Sequence, residues 1–200
     1  MELDWVLFDA DGVIQTTRAG WAEELTARAG SRTEEFLSAV SAADTACLTG
    51  DDFGAAMREV LRQFEIAAPL EDVIDRQFWI EVRQPMLAAV RAIRDLGLSC
   101  GLATNQQNLR GAYMRRSLGF ETIFDEQFYS FELGFAKPDA GYFRAIMERI
   151  NVPPHRVMFI DDHDGNVAGA REIGIQSELF PRDGGVVALK PILARYGMRL

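Results

Sequence analysis

Histidine and cysteine are scarce in this chain, with two of each among 200 residues. A zinc centre built on imidazoles draws on several histidines and is excluded on number alone. Cys47 and Cys100 stand far apart, which excludes a disulfide framework or a paired-thiolate metal site. They read as small buried hydrophobes in a reducing compartment. Basic residues are in deficit as well: 21 Lys and Arg face 30 Asp and Glu, a net charge of −9. With no basic arm, nucleic acid is not an expected partner. Apolar runs stop well short of the ~18 residues that a membrane span needs. The first residues lack the basic start and small-residue cleavage site of an export signal. The expectation is a cytoplasmic chain with no membrane partner, a monomer or a weak homo-oligomer.

What is present is globular in composition, 48% hydrophobic and 26% charged. The length allows one domain, or one domain carrying an insertion. Five short stretches read as buried strands: Trp5 to Phe8, Leu98 to Ala103, Asp125 to Ser130, Val157 to Ile160 and Ile175 to Phe180. Most are continuously apolar rather than alternating, as strands covered on both faces are. Helical patterns separate the later ones: Gln84–Leu96, Gln106–Leu118, Asp139–Ile150 and Asn166–Ile173, three of them followed by glycine. Strand alternating with helix predicts an α/β fold, a Rossmann-like parallel sheet.

Residues 15–83 interrupt that alternation. They read as four helices in succession, Ala19–Ala29, Thr33–Ala43, Asp51–Phe64 and Leu70–Glu81, with Thr33 and Asp51 as candidate caps. The simplest organisation is a core of residues 1–14 and 84–200, with a four-helix cap, 15–83, inserted after the first strand. Parallel sheets bind ligands at the carboxyl ends of their strands, so the insertion would lie over the site.

At those strand ends the polar residues gather. Asp9 and Asp11 follow the first strand, Thr104 and Asn105 the second, Lys137 the third, and Asp161 and Asp162 the fourth. In a parallel sheet all of them share one edge. Two unit charges ~4 Å apart repel by about 4 kcal/mol at an effective dielectric near 20. Four carboxylates and one lysine therefore call for a cation, and an all-oxygen donor set favours Mg²⁺. A carboxylate there can attack phosphorus. A second, two residues on, can handle the leaving-group and water protons. Lysine and threonine can hold phosphoryl oxygens as charge shifts.

The ordered stretches "DADGV", "ATN", "AKPD" and "FIDDHDGNVAGAREIG" resemble the four motifs of the haloacid dehalogenase superfamily, from the first strand to the last. Residues 15–83 resemble its small helical cap. Within the superfamily the chain is most similar to sugar-phosphate phosphatase-like members and to the phosphatase half of bifunctional epoxide hydrolases. The resemblance implies Asp9 as nucleophile and Asp11 as general acid/base. It implies Thr104, Asn105 and Lys137 around the phosphate. It also implies Mg²⁺ held by the Asp9 side chain, the Asp11 carbonyl and Asp162. Asp161 would ligate through water or orient the shell, with Asn166 in support.

Each signal has a plainer reading taken alone. Asp-x-Asp-Gly is a common turn, Lys137 a solvated loop lysine, and Thr104-Asn105 or Asp161-Asp162 a helix cap. Their order at successive strand ends is what gives them weight. The expected function is Mg²⁺-dependent hydrolysis of a small phosphorylated metabolite through an aspartyl-phosphate. A sugar phosphomutase, a haloacid dehalogenase and a non-catalytic binding module are the alternatives. Members resembling dehalogenases have no aspartate at the position of Asp11, which favours the phosphatase.

Overall fold

A computed structural model describes residues 3–18, 26 and 29–199. Its strands are β1 (Trp5–Phe8), β2 (Gln15–Thr17), β3 (Ile80–Val82), β4 (Ser99–Thr104), β5 (Glu126–Tyr129), β6 (Val157–Asp161) and β7 (Gln176–Leu179). The α-helices are α1 (Thr33–Ala46), α2 (Phe53–Gln63), α3 (Leu70–Ile74), α4 (Gln84–Asp95), α5 (Asn108–Ser117), α6 (Ser130–Leu133), α7 (Ala140–Ile150), α8 (Asp164–Glu172) and α9 (Gly185–Arg195). None of the described helices is long and apolar enough to cross a membrane.

The main sheet is parallel, in the order β5-β4-β1-β6-β7. β1 is central, with Leu7 in register with Gly101 on one side and Phe159 on the other. The chain winds outward through β4 and β5, then crosses back over β1 to build β6 and β7. That reversal is a topological switch point, where open α/β sheets leave a crevice.

Strand side chains alternate in direction, and β1 divides accordingly. Val6 and Phe8 pack with Met86, Val90 and Ile93 of α4 and Leu189 of α9. Leu7 packs on the opposite face with Phe143 and Ile146 of α7 and Ala170 of α8. With both faces covered, the inner strands β1 and β6 are apolar up to their ends, while the edge strands β5 and β7 carry Glu126, Gln127, Gln176 and Glu178.

The insertion has its own apolar cluster, in which Phe36, Val40, Cys47, Phe53, Met57 and Leu61 are buried. It touches the main body at the start of α5. The Phe53 amide donates to Asn108 Oδ1 at 3.1 Å, Leu109 joins the cluster, and Phe78 stacks on Tyr113 at 4.6 Å. The helix expected over Ala19–Ala29 lies mostly outside the described residues.

Three expectations for residues 15–83 are corrected. Leu70–Glu81 is not one helix: α3 ends at Ile74, a 3₁₀ turn spans Asp75–Phe78, and the chain continues as β3. β3 pairs antiparallel with β2, Gln15 opposite Val82 and Thr17 opposite Ile80, so a two-stranded ribbon joins the two ends of the insertion. Asp52, rather than Asp51, caps α2, accepting from the Ala55 amide at 2.7 Å. Thr33 is no cap acceptor either; its hydroxyl donates to the Gly30 carbonyl.

One close approach positions the site directly. A Cβ on Gly169 of α8 would lie 2.2 Å from the Pro138 carbonyl oxygen. The missing side chain lets α8 pack against the loop that carries Lys137. Gly169→Ala is expected to destabilise by about 1–3 kcal/mol, the usual range for overpacking against atoms that cannot step aside. Urea unfolding would measure it, and an unchanged midpoint would show that the loop can yield.

Candidate active site

Lys137 is almost fully buried, and its ammonium has three donors. They go to Asp9 Oδ1 at 2.7 Å, Asp161 Oδ2 at 2.6 Å and the Ala103 carbonyl at 2.9 Å. One acceptor comes from the end of each of β1, β6 and β4, so a single side chain ties three neighbouring strand ends together. The solvated-loop reading of Lys137 is therefore overturned. Burial works against its charge, but the attraction of Asp9 and Asp161 outweighs it and raises the pKa.

Asn105 fixes the lysine from behind. Its Oδ1 accepts from the Lys137 amide and its Nδ2 donates to the Lys137 carbonyl, both at 2.8 Å. The family resemblance implied Asn105 around the phosphate. Its carboxamide is instead engaged by the Lys137 peptide, so the side chain positions the lysine. Thr104, the buried last residue of β4, accepts from Gln106 Nε2 at 3.1 Å. The cap of α5 is Gln107, which accepts from the Leu109 and Arg110 amides. Thr104 and Asn105 are thus not the helix caps their sequence also allows.

Asp9, Asp161 and Asp162 each present a carboxylate oxygen, and these atoms lie within 4.8 Å of one another. Asp161 is fully buried and heavily bonded: Oδ1 accepts from the His163 amide at 2.8 Å, and Asn166 Nδ2 reaches both oxygens. Asp162 Oδ2 accepts from Arg182 Nη1 at 2.7 Å. Hard oxygen donors without nitrogen or sulfur fit Mg²⁺. His163 itself is exposed, 69% for its side chain, and takes no place in the cluster.

Asp11 turns the other way, towards α5. Arg110 grips it with two bonds, Nη1 to Oδ2 at 2.6 Å and Nη2 to Oδ1 at 2.8 Å. Gln106 Nε2 donates to Oδ2 at 2.8 Å and Gln15 Nε2 to Oδ1 at 3.2 Å. Burial alone would raise the Asp11 pKa, but Arg110 and the two amides outweigh it and hold it at about 2. Asp9 moves the opposite way, to about 7, chiefly through burial, with Lys137 opposing and Asp161 adding to the rise.

The chain matches the haloacid dehalogenase-like hydrolase family over residues 3–174. It belongs to the haloacid dehalogenase-like hydrolases. Phosphatase MT3486 of Mycobacterium tuberculosis is 27% identical over 196 residues, covering 92% of this chain and 90% of that protein. Drimenol cyclase drtB of Aspergillus calidoustus is 42% identical over 59 residues, 30% of this chain but 11% of the cyclase. The chain thus spans only a small part of some curated relatives. Among solved structures, the family enzyme bt-2542 of Bacteroides thetaiotaomicron, in complex with magnesium and inorganic phosphate, superposes with a TM-score of 0.77. It is 18% identical and covers 90% of this chain and 95% of that one. At that identity the likeness is one of fold.

Of the predicted site residues of this hydrolase, Asp9, Thr104, Asn105, Lys137, Asp161 and Asp162 gather around the ends of β1, β4 and β6, while Asp11 faces α5. The sequence pattern missed Gln15, Gln106, Arg110 and Arg182. Arg110 carries no signal beyond being a charge on the inner face of a helix. Arg182 had one: it follows β7, at the same sheet edge as the other groups.

Lys137→Met is expected to destabilise the metal-free protein by about 3–5 kcal/mol, because it leaves two buried carboxylates without their partner. Chemical denaturation in chelator would show it. The Asp9 shift also sets a pH dependence. Its folded pKa, about 7, lies above the ordinary 3.8, so its proton is held more tightly when folded. The associated stability is complete below pH ~4 and is lost as pH rises towards ~7. In chelator the melting temperature should fall across that window, and Asp9→Asn should flatten the fall. Asp11 does not interfere, since its stabilisation is lost only as pH drops through about 2.

Proposed function

We propose that this hydrolase is a Mg²⁺-dependent phosphatase that cleaves a small phosphorylated metabolite through an aspartyl-phosphate on Asp9. The observation that carries the reading is the junction of Asp9 with a buried lysine on one side and two further carboxylates on the other. The names of relatives support it: MT3486 is a phosphatase, and the bt-2542 structure holds magnesium and phosphate.

On this reading Lys137 anchors Asp9 Oδ1 and leaves the second oxygen to attack phosphorus. With its three donors on Asp9, Asp161 and the Ala103 carbonyl, the ammonium would act on the phosphoryl oxygens through its charge rather than by a hydrogen bond. Thr104 offers a hydroxyl to the same group. Asp9 and Asp162 would hold Mg²⁺ with the Asp11 carbonyl, and Asp161 orients the shell through Lys137 and Asn166. When bound, the ion would neutralise part of the charge shared by nucleophile and phosphate.

Two tasks fall to Asp11: protonating the leaving oxygen, for which it must first gain a proton, and then taking one from the attacking water. Ionised on Arg110, it is ready for the second task and not for the first. A leaving group that departs as a weak base asks least of it, which makes an aryl phosphate the suitable first substrate. Carbon–halogen cleavage would need no such proton donor, and the presence of Asp11 argues against it.

Phosphate release from p-nitrophenyl phosphate should require Mg²⁺ and stop in chelator. Asp9→Asn should lower kcat by at least about a thousandfold, and Asp11→Asn by ~10²–10⁴-fold. Turnover undiminished by Asp9→Asn would eliminate the covalent mechanism.

A further inference from the structure

The loop after β7 brings a cation to the metal cluster that no part of the proposed chemistry uses. Arg182 Nη1 lies 2.7 Å from Asp162 Oδ2; the carboxylate is 7% exposed and the arginine 67%. Lys137 pairs with Asp9 and Asp161 but bonds no oxygen of Asp162. Among the described residues, Arg182 is the ion partner of Asp162.

Two features of the backbone make room for this pair. Gly12 has φ +88°, and a Cβ there would lie 2.3 Å from Asp162 Oδ2 and 3.2 Å from Arg182 Cγ. A side chain at position 12 would therefore push the two apart. The loop itself is pinned next door. The Asp183 amide donates to the Gly12 carbonyl at 2.8 Å, and its carboxylate pairs with Arg83, which follows the ribbon strand β3. Asp183 has φ +61°, the left-handed region that few non-glycine residues occupy. The anchors hold the backbone, while the long, exposed side chain of Arg182 has space to move.

We propose that Arg182 is a positioning residue that occupies Asp162 until a divalent cation arrives and is displaced by it. This rests on the reading of Asp9 and Asp162 as Mg²⁺ ligands. A divalent cation on Asp162 would stand close to the guanidinium and repel it, and Arg182, exposed where Lys137 on Asp9 is buried, can move away. Of the two, the exposed guanidinium regains water most readily when it leaves. In the metal-free protein the pair holds Asp162 beside Asp9 and Asp161, against their mutual repulsion. Metal binding then exchanges one cation for another, and its affinity is lowered by the competition.

Calorimetric titration with MgCl₂ at fixed pH and ionic strength tests this on the wild type, Arg182→Gln and Arg182→Lys. Arg182→Gln should bind Mg²⁺ about two- to fivefold more tightly, the range expected from removing a partly exposed ion pair. Its melting temperature should fall in chelator and match the wild type at saturating Mg²⁺. Arg182→Lys, which keeps the charge, should return towards wild-type affinity. Equal or weaker Mg²⁺ binding by Arg182→Gln, with normal folding by circular dichroism, would overturn the displacement. Failure of the wild type to bind Mg²⁺ at all would instead overturn the metal reading on which it rests.

Discussion

The ammonium of Lys137 sits between Asp9 and Asp161 with all three groups withdrawn from water, and the rest of the site is arranged around that fact. Dehydrating a lysine and two carboxylates is strongly unfavourable unless every donor and acceptor finds a partner. Here the lysine's three donors are matched, and Asp161 collects further bonds from Asn166 and the His163 amide. Asn105 binds both faces of the Lys137 peptide, and Gly169 lets α8 close against the same loop. Strand ends, loop and helix are thereby locked to one another at the place where the chemistry is proposed to occur.

The reversal of winding at β1 divides the crevice in two. Towards β6 lie Asp9, Asp161, Asp162 and Arg182, hard oxygens under the control of cations. Towards β4 and α5 lie Asp11, Gln106, Gln15 and Arg110, a chain of charged and amide groups around one carboxylate. Asp9 and Asp11 are two residues apart in sequence, yet their surroundings push their pKa values in opposite directions. In the metal-free protein this divergence is the reverse of an ionised nucleophile beside a protonated acid, and a divalent ion beside Asp9 would favour its ionised form.

The strands and the groups at their ends were legible because both follow local rules. A short apolar run ending in polar residues is a buried strand reaching a sheet edge, and parallel order brings those edges together. Where partners are distant in sequence, the rules fail. Val73 and Ile80, seven residues apart, fit one helical face, and only the pairing of Ile80–Val82 with Gln15–Thr17 makes the second part a strand. Arg110 looks like any helix arginine until the fold turns it onto Asp11. The resemblance placed Asn105 around the phosphate, although its bonds go to a loop about thirty residues on. The helix Gly185–Arg195 carries Pro191 in its interior, which argues against a helix on propensity alone. Packing of Leu189, Ile192 and Leu193 against the core overrides it.

Charge gives these parts a common logic. Four carboxylates, Asp9, Asp11, Asp161 and Asp162, face three protein cations, Lys137, Arg110 and Arg182. The cations are distributed one to a neighbourhood, so no acid is left alone, yet the set keeps a net negative charge. A phosphate dianion meets repulsion in such a crevice, and a divalent cation that displaces Arg182 brings the four acids into balance with Lys137, Arg110 and the ion. On the phosphatase reading, metal binding therefore precedes productive substrate binding. The protein cations keep the acids together in the meantime. Lys137 is buried and fixed and can stay through both events. Arg182 is exposed and long, and alone among the three is built to leave.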